Sequence, residues 1–112
     1  MPIEKWSDQV SVVRLSDDPQ FTDDLQTLHE QMEQLNVHAV LDFSGVNYIN
    51  SSNISRLLRL RQWANQLGLK LILCGVSTRL WGTFLSTGLD KVFEWSDNVT
   101  TALATMQITP KI

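Results

Sequence analysis

Three apolar runs, separated by two long stretches with helical periodicity, constrain the fold more than any other feature of this chain. Residues 10–15 ("VSVVRL"), 37–43 ("VHAVLDF") and 69–74 ("LKLILC") are rich in β-branched and aliphatic side chains and have strand length. Between the first two, Phe21, Leu25, Leu28, Met32 and Leu35 recur at spacings of three and four, the stripe of an amphipathic helix. Asp17-Asp18-Pro19 supplies its start, with Asp18 as cap and Pro19 at the first helical position. Between the second and third runs, Ile54, Leu57, Leu58, Leu60, Ala64 and Leu67 give a helix its apolar faces, and Gly68 ends it. Ser51 or Ser52 caps that helix.

The alternation continues to the end. Gly75 turns the chain, and Ser77 or Thr78 caps a helix carrying Leu80 and Phe84. Gly88 stops it, residues 92–95 form a short strand, and a last helix covers roughly residues 98–106. Residues 3–6 are a short partner strand ahead of the first run. Strands alternating with helices predict an α/β fold with a largely parallel sheet. The third run is apolar almost throughout, as in a strand covered on both faces. With 112 residues the chain is one domain, residues 1–112, without repeat or linker.

Several function classes drop out. The net charge of −3 does not favour nucleic acid. No apolar stretch approaches the roughly 18 residues of a membrane span, so direct membrane insertion is not expected. "MPIEKWSDQ" lacks the regions of a signal peptide, which predicts a cytoplasmic protein. Cys74, the only cysteine, sits in an apolar run and reads as a buried core thiol. His29 and His38 have no neighbouring ligand at metal spacing. There is no Gly-rich phosphate loop and no Gly-x-Ser-x-Gly elbow. Neither an enzyme activity, a metal nor a cofactor is expected.

What stands out is "DFSGVNYINSSNISRLLRLR", residues 42–61, where Asn50, Ser51, Ser52 and Asn53 lie between a strand and a helix. The stretch from residue 37 to about residue 95 resembles the STAS-domain family, the anti-sigma factor antagonists. Their pattern runs from an apolar strand into Asp-Leu-Ser-x-Val-x-x-Met-Asp-Ser-Ser/Thr-Gly-Leu. A helix ending in Gly, a strand ending in Cys or a similar residue, and a Ser-started helix closing in Phe-x-x-x-Gly-Leu follow. This chain matches at Asp42, Ser44, Val46, Ile49, Ser51, Ser52, Ile54, Gly68, Cys74, Ser77, Phe84, Gly88 and Leu89.

The resemblance implies a single STAS-type domain, with a mostly parallel or mixed sheet of four to five strands and about four helices. It also implies partner switching. An anti-sigma factor that is itself a serine kinase, of the histidine-kinase-like ATPase type, binds the unphosphorylated antagonist and releases its sigma factor. Phosphorylation of the antagonist breaks that contact, and a serine phosphatase resets it. The family's modified serine corresponds to Ser51, with Ser52 the second candidate. Asp42, Ser44, Asn50, Asn53, Arg56 and Arg59 lie around it as switch-loop and partner-binding positions.

Two departures bear on this expectation. Asn50 stands where the family has aspartate, keeping its size and losing its charge. Asn53 stands where the family has glycine and is expected to set a side chain beside the contact surface. Both favour the alternative reading, a STAS interaction module that is not phosphorylated, such as a transporter accessory subunit or a signalling scaffold. Trp63 and Trp81 replace residues that are usually polar in the family. Exposed on adjacent helices, they would form a docking patch for the partner or for a homodimer, with Arg59 stacked on Trp63; otherwise they cover core edges.

Overall fold

Side-chain alternation decides how the sheet is used. In β3 (His38–Gly45), Ala39, Leu41 and Phe43 join one core and Val40 joins another, and all four are buried. A strand covered on both faces must be central. The computed structural model, which describes residues 3 to 108, has that arrangement. The sheet runs in the order β1 (Ile3–Lys5), β2 (Val10–Ser16), β3, β4 (Leu71–Cys74), β5 (Glu94–Ser96). β1 is antiparallel to β2, and all other pairs are parallel.

Three helices, α1 (Gln20–Leu35), α2 (Ser51–Leu67) and α3 (Thr78–Ser86), cover one face. They send Phe21, Leu28, Leu57, Leu60, Leu80 and Phe84 against Leu41, Phe43 and Leu73. α4 (Val99–Ile108) covers the other face, where Ala102 packs with Val12, Val40, Ile72 and Cys74. Each parallel step passes through one helix. The carboxyl ends of β2, β3 and β4 and the amino ends of α1, α2 and α3 therefore gather at one pole of the sheet, where open α/β sheets offer their binding crevices.

The expected architecture is present, with differences at the boundaries. α1 begins at Gln20, so Pro19 is the residue before the helix; the Asp18 carboxylate nonetheless accepts the Thr22 N–H at 3.0 Å. The expected strand at residues 92–95 is β5, displaced toward Ser96. A 3-10 turn, Leu89–Lys91, takes Val92 into its last hydrogen bond, to the Leu89 carbonyl at 3.0 Å. Leu69 does not start β4. Its N–H returns to Ala64 at 2.8 Å, completing the end of α2 after Gly68 turns left-handed at φ 71°. Leu35 closes the predicted stripe of α1 but is exposed, because the helix ends there.

Cys74 is fully buried, and burial pushes its thiol up to about 12, which leaves it protonated and inert. His38 has a structural task. Its Nδ1 accepts the Lys70 N–H at 2.9 Å, tying β3 to the residue before β4. Burial, and then the Lys70 charge, holds this imidazole below its usual range. A depressed folded value means the unfolded chain takes up the proton first. Stability should therefore fall as pH drops below about 6.5, the ordinary histidine value, until the folded imidazole itself titrates. His38→Asn keeps an acceptor that does not titrate. Urea midpoints at pH 7 and pH 5 should differ more for the native chain than for the variant; equal differences would rule His38 out as the source.

Candidate functional site

The site grows from the end of β3. Asp42 Oδ1 accepts the Ser44 N–H at 3.0 Å and turns the chain out of the strand. The end of β4 comes very close. A Cβ on Gly75, whose φ is 70°, would lie 2.5 Å from Asp42 Oδ1, so glycine is required there. Asp42 is half-buried and acts on its own loop; Ser44 is exposed.

Two carboxylates from the loop between β2 and α1 then grip the loop between β3 and α2 and the first turn of α2. Asp17 accepts the Asn47 backbone N–H at 2.8 Å and the Asn47 side-chain amide at 2.9 Å. Asp18 accepts the Asn53 side-chain amide at 2.8 Å through Oδ2, and the Thr22 hydroxyl at 2.7 Å through Oδ1. These bonds favour the ionised forms. Asn47 holds Asp17 below the usual carboxylate range, and Asn53, ahead of Thr22, does the same for Asp18.

The cap of α2 is Asn50, which corrects the expectation that a serine fills this role. Asn50 Oδ1 accepts the Asn53 N–H at 2.8 Å, and Asn53 Oδ1 accepts the Asn50 N–H at 3.1 Å, a reciprocal capping box. Ser51 and Ser52 occupy the first two helical positions. Both are exposed, and neither hydroxyl has a hydrogen bond among the described residues. Their backbone N–H groups lie in the first turn, where no intrahelical acceptor exists.

Asn53 also departs from expectation. It is 2% exposed and faces inward, so its side chain does not stand on the outer surface. One amide holds the cap of α2 and the loop before α1 together. Composition could not show this, because the partner that matters, Asp18, is 35 positions away.

Helical spacing sorts the rest of α2. Ser51, Ser55, Leu58 and Gln62 form one exposed face, with the exposed Tyr48 just before it. Ser52, Arg56, Arg59 and Trp63 form the flank nearer α1; Arg56 Nη1 reaches Gln26 Oε1 there, at 3.5 Å. Trp63 and Trp81 are half-buried. Trp63 meets His29 edge-on at 4.5 Å, while Trp81 meets Trp95 at 4.9 Å. The two rings sit on separate seams; Trp81 packs against the edge of the core, and the ring partner of Trp63 is His29 in place of Arg59. Among the described residues no cluster of three His, Cys, Asp or Glu side chains could hold a metal, and no helix is long and apolar enough to cross a membrane.

Residues 7–102 match the family model of the STAS domain. The chain belongs to the STAS-domain family. Among solved structures, this STAS domain is similar to a variant of RsbS from Moorella thermoacetica: TM-score 0.82, 22% identity, 95% of this chain and 93% of that one covered. It is similar to the anti-sigma factor antagonist SpoIIAA in its unphosphorylated form, at TM-score 0.78 and 16% identity, covering 96% and 97% of the two chains. A third likeness is to a sulfate transporter family protein from Wolinella succinogenes, at TM-score 0.75 and 22% identity, covering 88% and 85%. At these identities the likeness is one of fold. No curated protein sequence matches the chain.

Proposed function

We infer that this STAS domain is an anti-sigma factor antagonist that works by partner switching, with Ser51 as the phosphoacceptor. Its activity is binding. The partner is an anti-sigma factor that doubles as a serine kinase of the histidine-kinase-like ATPase type, a serine phosphatase reverses the modification, and the cycle runs in the cytoplasm. One observation carries the reading: Asn50 and Asn53 do the capping, so Ser51 and Ser52 are free hydroxyls on an exposed helix start. Serines needed only as caps would be engaged.

The physics of that position suits a reversible charge. Phosphorylation adds about −1.5 to −2 charges, and a helix N-terminus tolerates an anion. The fold can stay intact while the surface changes sign. Tyr48, Ser55 and Leu58 extend the contact surface beside Ser51. The likeness to SpoIIAA and RsbS supports this reading.

A second reading has support of its own. The neutral Asn50 removes the carboxylate that the family keeps next to its serine, and one structural neighbour is a sulfate transporter family protein. On that reading the same surface binds a partner permanently. Phosphopeptide mass spectrometry on the protein from its own cells, in growth and in stress, separates the two. Phosphate on Ser51 that varies with condition is the expected result. Full coverage of residues 44–56 with no phosphate in any condition would replace switching with the constitutive module.

A further inference from the structure

The seam between α1 and α2 is where the described residues hold buried side-chain polar atoms without a partner. His29 Nε2 and Trp63 Nε1 are both shielded from water, and neither has a hydrogen bond. An unpaired buried group costs about 1–3 kcal/mol, so such atoms call for an explanation. The indole N–H can only donate.

Beside His29 a cleft of about 150 Å³ lies between the two helices. Leu25 and Leu60 are buried and give it an apolar floor; Arg56 and Arg59 stand at its wall with His29 and Gln26. Arg59 is exposed, and Arg56 has only the 3.5 Å bond to Gln26. Neither guanidinium is in an ion pair among the described residues, although the chain carries a net charge of −3. The Gln26 carboxamide is already engaged on both sides, its oxygen by Arg56 and its nitrogen by Glu30 at 3.4 Å. The residues that line the cleft thus include two guanidinium groups and no carboxylate, over a floor that suits a short hydrocarbon stem.

We propose that this cleft is a carboxylate-binding site. The carboxylate lies between Arg56 and Arg59, its methylene stem rests on Leu25 and Leu60, and His29, as the Nε2–H tautomer, gains the acceptor it lacks. The site lies along the flank of α2 away from the Ser51 face and does not depend on the reading of Ser51. A partner's Asp or Glu side chain and a free dicarboxylate share this chemistry.

Two-dimensional 1H–15N spectra of the full chain test it, with the Trp63 indole signal assigned from Trp63→Phe. The native chain is titrated with succinate and, separately, with a short Glu-Glu peptide blocked at both ends. A saturable shift of the Trp63 indole and Arg59 Nε signals is expected, with affinity about tenfold weaker in Arg59→Gln, an exposed change that leaves the fold alone. Tighter binding of the peptide identifies a protein partner as the source, and tighter binding of succinate a free ligand. No saturable shift with either probe would overturn the proposal. So would an equal shift in Arg59→Gln, or an equal shift from sodium chloride at matched ionic strength.

Discussion

Asn53→Ala is expected to destabilise the domain by about 2–3 kcal/mol, a large fraction of what a domain of this size has in reserve. The side chain is buried and makes two kinds of bond. Its oxygen closes the capping box on Asn50, and its amide donates to the Asp18 carboxylate at 2.8 Å. A hydrogen bond to a charged group contributes roughly 1.5–3 kcal/mol and a neutral one about 1 kcal/mol. Alanine regains a few tenths through better helix propensity, which sets the net figure. In thermal unfolding the loss should appear as roughly 10–15 °C. A drop under about 3 °C would mean that the contact adds nothing.

A double-mutant cycle isolates the part owed to Asp18. Asp18→Ala alone removes two sets of partners, Asn53 and Thr22. If the Asn53 bond is strong, the double variant should lose less than the sum of the singles by at least about 1 kcal/mol. The acid limb gives an independent check. The folded value of Asp18 is depressed, so its stabilisation is present above the ordinary aspartate value of about 3.9 and is lost as pH falls through the folded value. Asn53→Ala should flatten that loss, because the largest cause of the depression is gone.

Residues 53 and 18 also show where legibility ended. The strands and helices could be read from local periodicity, because Val40 and Leu41 face different cores in any central strand, and Phe21 to Met32 face one core in any such helix. The position of the serine turn followed from the same alternation. What could not be read was which residue would cap α2. Four capping-competent residues stand in a row from Asn50 to Asn53. The choice among them is made by Asp18, distant in sequence, which draws Asn53 inward and leaves Asn50 to complete the box. Asp17-Asp18 signals a helix start with Asp18 as cap, and nothing local reveals that the pair also grips the loop before α2 and its first turn. Spacing leaves exposure and burial of the two tryptophans equally open, for the same reason. Their rings found His29 and Trp95, neighbours in space that no spacing within one helix predicts.

Ser51→Glu should weaken partner binding by about 100-fold, some 2.7 kcal/mol, while leaving the fold as stable as the native one or slightly more so. The second half follows from position. A negative charge in the first turn of α2 gains about 0.3–1 kcal/mol from the helix dipole, and the side chain is exposed, so nothing must be repacked. The first half follows from the face on which Ser51 lies. Ser55, four residues on, is uncharged, and Leu58 beyond it is apolar. A charge at Ser51 therefore has no cation on its own helix face and would have to be desolvated or repelled at the contact. Ser52 differs. Arg56 follows it by four residues on the flank nearer α1, so a carboxylate at Ser52 can be neutralised within the helix. Ser52→Glu should accordingly cost binding no more than about fivefold. The measurement is a titration of Ser51→Ala, Ser51→Glu and Ser52→Glu against the kinase recovered with the Ser51→Ala chain, with melting temperatures beside it. Equal affinity of Ser51→Glu and Ser51→Ala would leave the surface as a permanent contact. A loss of binding together with a fall in melting temperature would place the effect in the fold instead of the switch.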